Sequence, residues 1–188
     1  MAKNQKSADQ AVLKELLSYV VWLVGVFVAV KLITTFIGVF SVVDGDSMEP
    51  TLSNGEYLWV DKLDYLISEP ERFEVVIFPV EYIGKTKYFV KRIIGLPGET
   101  VYIDEEGVIY INGEVLQEGY GKEVISSYNR QRAAEPVVLG EDEYFVLGDN
   151  RNNSSDSRYE VVGNVKRSKL LGRVVVRLWP FTKIGKVE

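Results

Sequence analysis

The chain contains no histidine and no cysteine. Those two absences remove most routes to nucleophilic and metal catalysis. A Ser-His-Asp triad and a Cys-His pair are both impossible, and a zinc site of His and Cys ligands is excluded. Disulfides are excluded as well, which leaves the compartment open, because exported proteins often carry none. Basic groups are in the minority, 22 Lys and Arg against 27 Asp and Glu. Residues 44–188 are more one-sided, with 18 basic and 25 acidic groups and a net charge of −7. A surface of that sign is a poor partner for nucleic acid or for electrostatic docking onto anionic lipid.

What is present is a long apolar run. Leu16 to Val43 holds 28 residues and a single charge, Lys31. As a helix, Leu17 to Ile37 would span roughly 31 Å, the thickness of a bilayer's hydrocarbon core. Tyr19 and Trp22 stand near its start, where interfacial aromatics belong. A soluble core helix is rarely apolar on every face. A cleaved secretory signal has a shorter apolar region and a small-x-small site, which Gly38-Val39-Phe40-Ser41-Val42-Val43 lacks. Lys31 either snorkels outward or sits near the outer interface. Lys3, Lys6 and Lys14 precede the run, and the next Lys after Lys31 is Lys62. By the positive-inside rule the N-terminus is cytoplasmic and the remainder lies outside. The expected layout is a cytoplasmic 1–15, a transmembrane helix 16–38 and an extracytoplasmic domain 39–188.

After Val43 the pattern turns to short strands. Glu56–Val60, Glu74–Phe78 (stopped by Pro79), Tyr88–Ile94, Val101–Asp104, Val108–Ile111, Glu143–Leu147 and Arg173–Leu178 are β-rich runs bounded by turn residues. Asn112-Gly113 is a hairpin signal. The polar stretch Gly119 to Glu135 reads as an inserted lobe or loop, within a lobe of about 99–140. No helical period follows the first run. The fold class is therefore mostly β: an all-β ectodomain on one N-terminal transmembrane helix.

Three segments offer chemistry. Gly45-Asp46-Ser47-Met48-Glu49-Pro50-Thr51-Leu52 presents Ser47 in a turn, which is either an ordinary turn residue or a nucleophile. With no histidine, its base must be a lysine or a carboxylate. Phe89-Val90-Lys91-Arg92-Ile93-Ile94-Gly95-Leu96-Pro97-Gly98 offers Lys91. Strand alternation groups Phe89, Lys91 and Ile93 on one face, which is either solvated or buried. If buried, the ammonium is disfavoured and a neutral amine becomes available as a base. Gly148-Asp149-Asn150-Arg151-Asn152-Asn153-Ser154-Ser155-Asp156-Ser157-Arg158 is either a solvated loop or a polar buttress. Its ion pairs would come from Asp149, Asp156, Arg151 and Arg158.

The ordered set of membrane helix, GDSMEPTL, KRIIGLPGE and GDNRNNSSDSR resembles the bacterial type I signal peptidases, in the single-span form of Gram-positive species. The resemblance runs from about Leu16 to Phe181 and includes RVVVRLWPF at 173–181. It implies a signal-peptidase-type antiparallel β fold with an inserted lobe. It also implies a serine endopeptidase that removes signal peptides from exported preproteins, cleaving after small residues at P1 and P3. By the same resemblance Ser47 is the nucleophile, with its N–H as an oxyanion donor, and Lys91 is the general base. Ser154 orients the lysine amine, and Asp156 and Arg158 form a supporting ion pair with Asp149 and Arg92 near it. Residues just before Ser47 and Lys91 form the edges between which an extended substrate lies. Secretory preproteins and the lipid around the helix are the expected partners. No cofactor and no metal is implied.

Two departures stand out. Gly45 occupies a position where one branch of the family has a Ser or Thr whose hydroxyl serves the oxyanion. In Arg72-Phe73-Glu74, Phe73 and Glu74 replace the Gly and Asp of an RGD-type strand opening. A signal-peptidase-like accessory without chemistry is the alternative, but such relatives lack the serine or the lysine. A self-cleaving transcriptional repressor fits poorly with the membrane span and the acidic remainder. Trp179, Pro180 and Phe181 either rest on the membrane surface or pack as ordinary core aromatics.

Overall fold

A computed structural model describes residues 2–187, with side chains from Leu13 onward. The side chains of Lys3, Lys6 and Asp9, which enter the charge argument, lie outside the described residues. The chain divides after Gly38 into a helical unit and a β unit. Helix α1 (Ala2–Leu32) continues into a single π turn at Ile33–Ile37. Its apolar part, Leu13–Ile37, is 25 residues long with a mean hydropathy of 2.4, and none of it is buried. Length and composition suit a bilayer crossing.

The β unit is built from β1 (Gly38–Val42), β2 (Tyr57–Asp61), β3 (Val75–Tyr82), β4 (Lys85–Gly95), β5 (Thr100–Ile103), β6 (Ile109–Ile111), β7 (Glu114–Val115), β8 (Val137–Val138), β9 (Glu143–Leu147), β10 (Val165–Lys166), β11 (Gly172–Trp179) and β12 (Gly185–Lys186). The main sheet runs β1-β2-β11-β3-β4-β9-β10, with β12 on the distal half of β11. A second sheet, β7-β6-β5-β8, is inserted between β4 and β9. Every registered pair among the described residues is antiparallel. At the Asn112-Gly113 turn both residues have positive φ, 52° and 84°, as a two-residue hairpin of matching twist requires.

The expected break at Pro79 does not occur. Strand β3 runs through it to Tyr82 and pairs with β4 from Val75–Arg92 to Tyr82–Lys85. The Leu171 N–H donates to the Ile77 carbonyl at 2.9 Å, so Ile77 faces β11 and so, two residues on, does Pro79. Pairing with β11 ends at Ile77. The N–H that proline lacks therefore had no ladder partner to lose.

Both faces of the main sheet are covered. Val75 and Ile77 pack with Val43, Met48, Leu52, Leu58, Val60 and Val174. Val76, Phe78 and Val80 pack with Ile93, Tyr144, Val146 and Leu170. Strand alternation thus supplies both layers, and the second face explains why β3 reads as a nearly continuous apolar run. A third cluster joins Ile94, Phe145 and Leu147 to Val101, Ile103, Ile109 and Val137 of the second sheet.

Gly172 marks a close approach of β11 to β2. A Cβ there would lie 2.2 Å from the Asp61 carbonyl oxygen and 2.9 Å from its carbon. Backbone cannot yield as a side-chain tip does. Gly172→Ala should destabilise the β unit by about 2 kcal/mol or more in urea unfolding. Unchanged stability would mean that β11 and β2 part easily at this point.

Candidate active site

Ser47 sits in the turn between β1 and β2. Met48 and Leu52, almost completely buried, anchor that turn in the core, and the Leu52 N–H donates to the Met48 carbonyl at 2.9 Å. Gly45 opens it with φ +101°, a conformation side-chain-bearing residues rarely adopt, and its N–H donates to Asn54 Oδ1 at 2.9 Å. A Ser or Thr in its place would be strained in this backbone. The Ser47 N–H has no partner among the described residues.

Lys91 approaches from β4. Its Nζ lies 2.7 Å from Ser47 Oγ and donates to the Val90 carbonyl at 3.0 Å. The residue is 4% exposed, so the face it shares with Phe89 and Ile93 is the buried alternative. Burial pushes the Lys91 amine down to about 8 from 10.5. The Asp156 and Asp149 carboxylates pull it back up, and Arg158 adds to the lowering.

The polar segment after β9 is a buttress, and its pairings differ from those expected. Asp149 does not pair within the segment but with Arg92 of β4: Nε to Oδ1 at 2.9 Å and Nη2 to Oδ2 at 2.7 Å, both side chains fully buried. Asp156 pairs with Arg158 as expected, at 2.8 Å through both oxygens. Arg151 turns instead to Glu118. The separation decides this. Arg92 is already held beside Asp149 by its bond to the Phe73 carbonyl at 2.7 Å, leaving Arg151 to a carboxylate from the inserted lobe. Each buried charge keeps a bidentate partner and extra hydrogen bonds, the condition for tolerating such pairs in a core.

The segment also touches the nucleophile turn. Asn150 donates from its backbone to the Ser47 carbonyl at 3.1 Å and from Nδ2 to the Asp46 carbonyl at 3.1 Å. Thr51 donates to Asp149 Oδ2 at 2.5 Å. A Cβ on Gly148 would fall 2.2 Å from Ser154 Oγ and 2.4 Å from the Ser47 carbonyl oxygen. Ser154 therefore packs beside the nucleophile's backbone, and its buried hydroxyl makes no hydrogen bond among the described residues. Reading the sequence missed Asn150, Thr51, Glu118 and Tyr120. The first two stand inside the quoted motifs, but nothing local marked their partners, which lie at sequence separations of about a hundred residues.

A groove of about 430 Å³ opens onto the serine, lined by Val42 to Asp44 on one side and Thr86 to Lys91 on the other, with Met48 and Ser155 beside it. Both walls are free strand edges. Val43 pairs with Glu56 and Gly55, which turns the peptide groups of Val42 and Asp44 the other way. Strand β4 pairs with β9 only from Arg92 onward, so the Tyr88 peptide groups and the Val90 N–H face the groove without a strand partner, while the Val90 carbonyl accepts from Lys91. No cluster of His, Cys, Asp or Glu among the described residues is arranged to hold a metal ion.

The profile of the family described as signal peptidase, peptidase S26, matches residues 16–179. The chain belongs to that family. It is 42% identical to the probable signal peptidase I-2 of Synechocystis sp., over 81% of this chain and 68% of the relative. It is 36% identical to signal peptidase I of Leptolyngbya laminosa, over 99% of this chain and 89% of that one. Signal peptidase I S of Bacillus subtilis is 35% identical, with 97% of this chain and 100% of the relative covered. The chain is accordingly a peptidase of this family, and the matched region takes in the apolar helix from Leu16 onward.

The burial of Lys91 carries a stability cost with a definite pH window. An amine of 10.5 in the unfolded chain and about 8 in the folded one penalises the fold wherever it must be protonated. The penalty, about 3 kcal/mol, is full below pH 8 and fades as pH rises through 10.5. Lys91→Met should therefore be the more stable protein at pH 7, and the gap should close by pH 10.5. Chemical unfolding of both proteins at the two pH values checks this. A gap independent of pH would mean that the amine is not desolvated.

Proposed function

We propose that this chain is a membrane-anchored serine endopeptidase that removes signal peptides from exported preproteins, with Ser47 as nucleophile and Lys91 as general base. The contact that carries the reading is the 2.7 Å approach of a buried lysine amine to the Ser47 hydroxyl, in a chain without histidine. An accessory protein without chemistry would have no reason to keep both partners in contact and the amine desolvated.

The substrate binds as an extended strand between the free edges of residues 42–44 and 86–90, satisfying the unpaired peptide groups on both sides. The groove then places a scissile carbonyl against Ser47 Oγ. The neutral Lys91 amine takes the hydroxyl proton as Oγ attacks the carbonyl carbon. The Ser47 N–H faces the oxygen where negative charge develops. The Lys91 ammonium returns the proton to the leaving amine, which leaves an acyl-enzyme. A water molecule, deprotonated by the same amine, then hydrolyses the ester and Ser47 regains its proton. Arg92–Asp149 and Arg158–Asp156 hold strand β4 and the polar loop around the amine; the Ser154 hydroxyl, expected to orient it, packs beside the Ser47 backbone instead and makes no bond to Lys91 among the described residues. A narrow groove with Met48 and Val90 on its walls favours small side chains at P1 and P3.

Ser47→Ala should abolish preprotein cleavage with little change in stability, since a turn hydroxyl is lost and no core volume. Lys91→Arg should be nearly as damaging as Lys91→Ala, because a guanidinium stays protonated at any working pH. In the wild type, kcat/KM should rise about tenfold per pH unit below pH 8 and level above it, following the neutral amine. An acidic optimum, or an active Lys91→Arg, would point to a carboxylate base.

The Lys distribution around the helix supports an N-terminus in the cytoplasm and the β unit outside. Tethering both enzyme and substrate to the bilayer raises their effective concentration. Trp179 and Phe181 are exposed and pack edge to face, their centroids 4.7 Å apart, which suits the membrane-surface alternative over the core one. Protease added to intact spheroplasts should digest the chain beyond Val43 and spare a tag before Lys3. Digestion of the tag instead would reverse the topology and remove the secretory role.

A further inference from the structure

The dyad, its ion pairs and the groove are accounted for by the reading above. One segment that none of that chemistry uses is nevertheless tied to the site from several directions. Residues 116–126 leave β7 without regular secondary structure. Tyr120 lays its ring over the Arg92 guanidinium, 3.7 Å from Cζ to the centroid. The Lys122 N–H donates to the Asp149 carbonyl at 2.8 Å, and Lys122 Nζ pairs with Glu49, two residues past the serine, at 2.8 Å. Glu118 holds Arg151, whose Nε donates to the Gly148 carbonyl at 3.1 Å.

A second observation comes from the opposite end of the same stack. Phe73 has φ +72°, left-handed backbone that a bulky side chain adopts only under constraint. The constraint is visible. The Phe73 carbonyl accepts from Arg92 Nη1 at 2.7 Å, and its ring packs on Tyr120 with centroids 5.2 Å apart. Phe73 stands where the RGD-like strand opening has glycine, the residue for which this backbone carries no strain. Relaxing the backbone would remove the ring that supports Tyr120.

We propose that residues 116–126 form a strap that positions the catalytic centre, with Tyr120 and Phe73 as positioning residues that clamp Arg92 onto Asp149. The proposal rests on the assignment of Ser47 and Lys91 as the dyad. The physical argument is electrostatic. A cation–π contact is strongest when water is kept from the cation. The Tyr120 ring shields one side of Arg92, so Asp149 stays fully paired. Lys91 is faced by Asp156, Asp149 and Arg158, with Arg92 next to it on β4. Loosening Arg92 frees the Asp149 carboxylate and admits water, and both effects favour the ammonium form of Lys91. The strap thereby holds down the pH at which Lys91 loses its proton, without touching it.

The test is the pH profile of kcat/KM from pH 6.5 to 10, measured on a preprotein with the full chain in detergent micelles. Tyr120→Leu should move the rising limb up by about one unit. It should lower the rate about tenfold at pH 7 and leave it nearly unchanged at pH 10. Tyr120→Phe, which keeps the ring, should restore the wild-type profile. Phe73→Gly, which suits the backbone and removes the supporting ring, should shift the limb in the same direction. It carries the test if Tyr120→Leu does not fold. Tyr128→Ala, an exposed aromatic on the same lobe, serves as control. An unshifted limb in Tyr120→Leu and Phe73→Gly, or a uniform loss at every pH, overturns the strap while an inactive Ser47→Ala leaves the dyad standing. An active Ser47→Ala would instead overturn the dyad itself.

Discussion

The arrangement around the site turns on one demanding contact, a buried lysine amine against a serine hydroxyl. In water such an amine keeps its proton to about pH 10.4, so bringing that point down means excluding water and accepting the cost of doing so. Lys91 is almost fully buried, and its amine is pushed down to about 8. A histidine base would need no such treatment, since its ordinary range already brackets neutrality. Without histidine, desolvation is the available means, and the two-sided sheet provides it.

Two carboxylates stand close enough to Lys91 to undo that effect. Their arginine partners, Arg92 and Arg158, are each bound through two hydrogen bonds and are fully buried. Pairs of this kind add little net stability compared with an apolar core. Their value here is geometric and electrostatic. Arg158 also reaches the Asn129 carbonyl at 2.9 Å and the Arg151 carbonyl at 2.6 Å, which fixes the loop that carries Ser154. Gly148, caught between Ser154 and the Ser47 backbone, shows how little room that arrangement leaves.

The inserted sheet has a double attachment to this machinery. Its core runs into the main sheet through Ile94, Phe145 and Leu147, neighbours of the catalytic strand β4 and of the polar loop. Its strap reaches over the Arg92–Asp149 pair and on to Glu49. The four-stranded insertion is thus joined to the site by packing as well as by charge.

The sequence by itself determined the helix, the β character and the hairpin at Asn112-Gly113, and with no histidine it narrowed the candidates for chemistry to residues such as Ser47 and Lys91, which only the resemblance of the ordered motifs marked as a pair. These rest on local signals: a long uncharged run, period-two alternation, a turn dipeptide and the absence of histidine. Tertiary structure alone decided whether the Lys91 face was wet or dry, because the opposite face of β4 is equally apolar and alternation cannot rank two apolar faces. It also decided that β3 passes through Pro79, since the side on which β11 stops pairing is a property of the sheet. It assigned Asp149 to Arg92 and Arg151 to Glu118, and it brought Tyr120 onto Arg92. Each of those contacts joins residues about 28 to 57 positions apart. Charge pairing is set by which groups the backbone holds within reach, and a linear pattern carries no distance between segments.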